Sequence, residues 1–301
     1  MAPGRRRPGR PSDAWQPSHL DKVFFPDDGI TKGDLLAYYE TVAPALLPHL
    51  AGRPLNLERF PDGIAGPRIH QKQVPASAPA WLRTVRIYAP TARRTIAYAV
   101  ARTPRDLAYL VNLGCIELHP WLVRADRPAA PDRVVFDLDP HGIGMAATVE
   151  VARRLRQALA GQGLRSYAKT SGGRGLHVVV PIRRGPGFDE VRAFADALAA
   201  RLAAADPALA TASRREADKA GRVYIDTLRN GPAQTMVAPY SVRARPGAPV
   251  STPLDWDEVG PGLDPATFTL RTLPARLAAR GDLFRPLLED RQNLPRAAPR
   301  G

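Results

Sequence analysis

Apolar and polar positions along this chain recur with two periods, and they predict an alternation of strands and helices. Thr31-Lys32-Gly33-Asp34 has the capping-box pattern with Asp in the acidic place, and Leu35-Leu36-Ala37-Tyr38-Tyr39 opens an amphipathic helix. That helix is predicted to run to about Leu47, where Pro48 closes it. Strand-like runs follow at 54–59, 82–89, 94–100, 115–119 and 133–138, with a helix at 104–112. Helical spacing of Ala, Leu, Val and Arg predicts two further helices at 146–160 and 188–204. Strands are expected between them at 164–169 and 176–182, and after them at 222–226. Residues 1–17, rich in Pro, Gly and Arg, bury too little apolar surface to fold and are expected to form a disordered basic arm.

Three of these segments carry chemistry. Val134-Val135-Phe136-Asp137-Leu138-Asp139-Pro140 delivers two aspartates one residue apart and is expected to stop at the proline. Alternate strand side chains share a face, so Asp137 and Asp139 project together, roughly 6 to 7 Å apart. Such a pair suits hard divalent cations, and two metals on shared carboxylates can clamp a phosphoryl displacement. One Asp capping the strand end while the other is solvated is an equal reading of the pair alone. Lys169-Thr170-Ser171-Gly172-Gly173-Arg174-Gly175-Leu176-His177 runs into Val178-Val179-Val180-Pro181. Its glycines and Ser171 allow backbone amides to approach an anion, and Arg174 can pair with phosphate oxygens. The spacing is neither a P-loop nor a dinucleotide fingerprint, and the glycines alone are read more simply as a hairpin turn. Asp226, at the end of the predicted strand 222–226 and opposite in face to Ile225, is the natural third carboxylate.

These motifs occur together and in order: DLDP, KTSGGRGLH, D-x-x-RN and T-x-VAPYSVRARPGAPVSTPL. With Leu-Asp-Lys-Val at 20–23, Thr-Lys-Gly-Asp at 31–34 and Leu-Glu-Arg-Phe-Pro-Asp-Gly at 57–63, the chain from about His19 to Pro295 resembles the polymerase domain of bacterial DNA ligase D. That domain belongs to the archaeo-eukaryotic primase superfamily. The resemblance implies an α+β primase-polymerase fold over residues 18–301, with an RRM-like catalytic core and two packed β-sheets flanked by helices. It implies that Asp137, Asp139 and Asp226 ligate two ions, Mn²⁺ or Mg²⁺, with Asp137 and Asp139 bridging both. Ser171, Arg174, His177, His119, Lys219, Arg229 and Arg243 match nucleotide-binding positions. Lys22 and Lys32 match the lysines that hold the 5′-phosphate across a DNA gap, and His70 falls at the template contact. Three positions depart from the family: His19 stands for a usual Asn, Ile69-His70 for paired phenylalanines, and Lys219 for a usual Arg.

Charge agrees with a polyanionic partner. The 301 residues carry a formal net charge of +14, and neutralising phosphates releases counterions. An Arg-rich compositional bias could also inflate that charge, since only Lys22, Lys32, Lys72, Lys169 and Lys219 are lysines. No run approaches 18 apolar residues, the start lacks a hydrophobic stretch behind its arginines, and Cys115 has no second cysteine to pair with. A cytoplasmic, nucleoid-associated protein is expected. The resemblance implies extension of DNA 3′-ends at gaps and breaks during non-homologous end joining, with ribonucleotides preferred. It also implies Ku and a separate ligase as partners of a stand-alone polymerase. Competing readings are a primase that starts chains de novo, a non-catalytic module that synapses DNA ends, and a dehalogenase-type phosphatase with Asp137 as nucleophile. The last expects Thr or Val where His141 stands.

Overall fold

A computed structural model describes residues 15–89 and 93–295. Most of the basic arm expected over 1–17 lies outside the described residues. Its boundary moves, because Trp15 packs edge-on against Trp81 and Tyr109 with ring centroids 5.8 and 5.6 Å away. An indole in such a cluster buries too much area to be left in solvent.

One half of the molecule is a six-stranded sheet in the order β11-β12-β8-β10-β9-β13. These strands are β8 (Arg133–His141), β9 (Tyr167–Thr170), β10 (Leu176–Pro181), β11 (Ala210–Thr211), β12 (Arg222–Asp226) and β13 (Pro253–Leu254). Strand alternation explains how it is coated. Val134, Phe136 and Leu138 of β8, Val178 and Val180 of β10, and Val223 and Ile225 of β12 pack in one core with helices α3 (Met145–Ala160) and α4 (Phe188–Ala205). The intervening residues face the other way. There Val135 and Val179 join Leu122, Met236, Phe284 and Leu287, while Asp137, Asp139, His177 and Asp226 occupy further positions of that face. One face is therefore apolar throughout, and the other turns from apolar to ionisable along β8.

The second sheet is built on β3 (Leu55–Arg59), which pairs with β7 (Cys115–Pro120) over Leu55–Arg59 and with β4 (Ile69–Gln71) and β6 (Arg94–Ala99). β5 (Thr84–Ala89) forms a hairpin with β6. Helices α1 (Lys32–Leu50) and α2 (Pro104–Asn112) pack on it in a core that also takes in Tyr240, Val242 and Val250 from the segment after β12. A short ribbon of β1 (Val23–Phe25) and β2 (Ile30–Thr31) leads into α1, and α5 (Leu273–Arg280) and α6 (Arg285–Glu289) complete the described chain. The capping box expected at Thr31 is present, with Asp34 donating and receiving as predicted by its spacing.

Most boundaries shift by a residue or two, and three of the departures have a clear physical cause. Pro48 does not end α1, which contains both Pro44 and Pro48 and continues to Leu50. A mid-helix proline costs about 3 kcal/mol, but Leu46, His49 and Leu50 are almost wholly buried, and each apolar side chain contributes about 1.5–3 kcal/mol. β8 runs through Pro140 to His141, because β10 pairs with it only as far as Leu138 and leaves the remainder facing β12 alone. Proline is tolerated where one side of the ladder is open. The strand expected from 164 starts at Tyr167, since the Leu164 amide still donates to the carbonyl of Leu159 beyond the αL turn at Gly163.

Candidate active site

Sheet register assembles the site. Asp137 lies directly opposite Asp226 on one side and His177 on the other, and His177 lies opposite Lys169. Asp139, two residues on, lies opposite Tyr224. Directly opposed side chains share a face with Cβ atoms about 4.5–5.5 Å apart, so the row Asp226, Asp137, His177, Lys169 runs across three adjoining strand pairs. The three aspartates proposed as a set from the sequence thus meet on one face.

The glycine loop between β9 and β10 lies against this row. A Cβ at Gly175 would come within 2.4 Å of the Leu138 carbonyl oxygen and 3.2 Å of Asp139 Oδ1, so only glycine lets the loop approach the carboxylates. Gly172 has φ +69°, and a Cβ there would meet Arg243 Cγ at 2.5 Å. Two of the loop amides are engaged within the loop itself. The Gly173 and Gly175 amides both donate to Ser171 Oγ at 3.2 Å, which braces the turn beside Arg174, Arg243 and Arg245.

A cleft of about 330 Å³ opens over the row and the loop. His119, Asp137, Asp139, Ser171, Arg174, His177, Arg229 and Arg243 line it, together with Arg245, which the sequence reading did not single out. Asp226 and Lys219 are not among the lining residues. Asp226 Oδ1 accepts the Leu228 amide at 2.8 Å, and the Lys219 ammonium sits 4.5 Å over the Tyr224 ring and 3.0 Å from Glu216.

Burial would raise the carboxyl of Asp137, yet His177, Arg229 and Lys169 outweigh it and hold that group down at about 2. Arg229 Nε is 3.5 Å from its Oδ2 and His177 Nε2 is 3.1 Å from its Oδ1. Asp139 moves the opposite way, up to about 6, through burial and the repulsion of Asp137 and Asp226. Burial and Lys169 push His177 down to about 4, so its imidazole is neutral. Neighbouring carboxylates with opposed shifts mark a site of concentrated negative charge.

The donor set fits a hard divalent cation. Asp137 Oδ1 faces the His177 ring nitrogen at 3.1 Å, and beside it stands Asp139, a carboxylate raised by its neighbours, so the pair offers the hard oxygen donors such an ion takes. Among the described residues no group of three or more acidic, imidazole or thiol side chains is drawn together closely enough to hold a metal ion by itself.

Two residues that sequence reasoning missed position this site. Glu117, on β7, is 2.8 Å from His119 Nε2 and 2.9 Å from Arg243 Nε through one oxygen, and accepts the Ala244 amide at 2.9 Å through the other. Burial would raise its carboxyl, but His119 and Arg243 bring it down to about 2. Asn230, 1% exposed, bonds both the amide and the carbonyl of Val135. The only sequence signal for Glu117 was its i, i+2 spacing from His119.

A family profile described as LigD, primase-polymerase domain, matches residues 31–284. The chain belongs to the LigD primase-polymerase domain family. It is 35% identical over 275 residues to the multifunctional non-homologous end joining protein LigD of Mycolicibacterium smegmatis, covering 90% of this chain and 35% of that protein. Its identity to the bifunctional LigD of Bacillus subtilis is 30%, over 93% of this chain and 45% of that protein. It therefore spans about a third to a half of these curated relatives. The fold also matches the polymerase domain from Mycobacterium tuberculosis Ligase D, solved in complex with DNA. That match has a TM-score of 0.87 and 33% identity, covering 93% of this chain and 100% of that one.

Two more sets of residues expected from the primase-polymerase resemblance lie apart from the cleft. Lys22 and Lys32 converge on a separate pocket of about 280 Å³, together with Arg59 and Asn112. The Lys32 ammonium is buried and donates to the Ser18 carbonyl and to Asn112 Oδ1, and burial and Lys22 lower its pKa. Lys22 is exposed and pairs with Asp62 at 2.6 Å. His70, on β4, pairs with Glu58 and borders a third hollow with Lys72 and Arg94. No described helix is long and apolar enough to cross a membrane.

Proposed function

We propose that this chain is a nucleotidyltransferase that adds nucleotides to DNA 3′-ends at gaps and breaks during non-homologous end joining. The observation that carries it is the register of Asp226 and Asp137 beside Asp139, on one face, in contact with a glycine turn ringed by arginines. Asp137, Asp139 and Asp226 would hold two Mn²⁺ or Mg²⁺ ions, which when bound would supply charge neutralisation and a lowered pKa for the attacking 3′-hydroxyl. Arg174, Arg229 and Arg243 would pair with the triphosphate oxygens, and Ser171 keeps the turn closed beneath them. Neutral His177 offers a donor next to Asp137 without adding a charge. His119 would complete the nucleotide pocket, and Lys219 would add positive charge on the Asp139 side.

The family extends the reading to ribonucleotides as preferred substrates and to Ku and a ligase as partners. The Lys22 and Lys32 pocket supports binding of a downstream 5′-phosphate, since two ammonium groups and Arg59 border one hollow beside the α1 N-terminus. His70 would stand at the template. The deciding experiment is extension of a 5′-phosphorylated gapped duplex with each NTP and dNTP in Mn²⁺ and Mg²⁺. Asp137→Ala and Asp139→Ala are expected to abolish extension while gapped DNA still binds. Extension by the double variant at near wild-type rate would overturn the reading.

A further inference from the structure

Arg243 spans the two sheets. Its Nη1 donates to the Ser171 carbonyl at 2.6 Å, its Cγ fills the space that a side chain at Gly172 would need, and its Nε lies 2.9 Å from Glu117 on β7. His119, two residues along β7 on the same face, lies 2.8 Å from the same carboxylate oxygen. The other oxygen accepts the Ala244 amide, which fixes the backbone next to Arg243. One buried carboxylate thus holds an imidazole from one wall of the cleft, a guanidinium from the other and the backbone amide that follows the arginine.

We infer that Glu117 is a positioning residue for the incoming nucleotide, acting through His119 and Arg243; this rests on the proposed nucleotide site. Arginine left without its anchor has four flexible bonds and a buried stem, and it supports the glycine turn on which the phosphates would rest. Glutamine at this position keeps the size of the side chain but loses the charge, and its amide nitrogen repels the donors that the carboxylate accepts. The loss falls on binding, since Glu117 contacts neither the aspartates nor the reacting atoms.

The test is direct titration of GTP onto wild type, Glu117→Gln and Glu117→Asp in Mn²⁺, alongside steady-state extension of a gapped duplex. Losing a charge-assisted contact predicts a ten- to hundredfold rise in GTP Kd and KM for Glu117→Gln, with kcat changed less than about threefold. Glu117→Asp, which retains the charge on a shorter stem, is expected to recover part of the affinity. Combining Glu117→Gln with Arg243→Ala should add little to Arg243→Ala alone, because both break one linkage. A purely structural role would lower the active fraction, and so kcat, at constant KM. That pattern, or an unchanged Kd in folded Glu117→Gln, overturns the inference, and Glu117→Asp gives the same readout if the glutamine variant does not fold. Wild type that binds GTP but never extends DNA removes the polymerase reading and leaves the Kd comparison decisive. Wild type that does not bind GTP removes both.

Discussion

At the scale of single residues, Asn230 shows how a side chain can continue a sheet. The ladder between β12 and β8 ends at Asp226 opposite Asp137. Two residues back along β8, the Val135 amide donates to Asn230 Oδ1 at 2.8 Å, and Asn230 Nδ2 donates to the Val135 carbonyl at 2.7 Å and the Thr227 carbonyl at 2.9 Å. The carboxamide takes the place of one more strand residue, and in doing so it fixes its neighbour Arg229 over Asp137. Asn230→Ala would leave both Val135 groups buried and unsatisfied, at about 1–3 kcal/mol each. The expected outcome is a Tm lower by several degrees and weaker GTP binding through the loosened Arg229. A Tm and a GTP affinity both equal to wild type would show that water or a relaxed backbone replaces the amide. Asn230→Asp is expected to be no better, because a carboxylate cannot donate to either carbonyl.

At the scale of elements, what the sequence revealed follows from the size of each signal. Helix α2 (Pro104–Asn112) and strand β12 (Arg222–Asp226) fall where their patterns put them, and the aspartates share a face because the period of a strand allows nothing else. Two- and three-residue strands such as β1, β2, β11 and β13 are too short to show a period, and α5 and α6 went unassigned. Glu117 and Asn230 were illegible for another reason, since the partners that join them to the site, Ala244 and Val135, lie 127 and 95 residues away in sequence. The glycine loop falls between these cases. Its composition predicted a close approach, but the approach is to the Leu138 carbonyl and to Asp139, and two loop amides are consumed by Ser171. Gly175→Ala therefore tests the packing of one element on another. A methyl 2.4 Å from a carbonyl oxygen forces the turn away from β8, and extension is expected to fall at least tenfold while gapped DNA binding is retained. Wild-type extension by Gly175→Ala would mean that the loop can retreat without cost to the site.

At the scale of the molecule, the two sheets are joined by a buried ionic seam. Arg53, wholly buried between α1 and β3, donates through Nη2 to both oxygens of Asp132 at 2.8 and 2.6 Å and through Nη1 to the Trp121 carbonyl. Arg124 and Arg133 approach the same carboxylate at 3.3 and 3.2 Å, and Asp132 immediately precedes β8. Burial would raise the Asp132 carboxyl, but Arg53 and Arg133 hold it well below the usual carboxylate range. The Arg53 guanidinium is itself pushed down to about 9, first by burial and then by Arg133, against the pull of Asp132. Removing one partner of a buried ion pair leaves the other uncompensated, so Asp132→Asn is expected to lose about 3–5 kcal/mol of stability near neutral pH. The pH dependence has a fixed sign. A carboxyl whose folded pKa lies below its unfolded value of about 3.9 contributes fully above that value, and the contribution is lost as pH falls through the folded pKa. Glu117 and Asp137, both held at about 2, weaken the wild type over the same acid range. Urea unfolding at about pH 7 and about pH 3 should therefore show the stability gap between wild type and Asp132→Asn narrowing on the acid side. A gap of the same size at both pH values would mean that the three arginines are solvated by other means and that Asp132 is not what holds the sheets together.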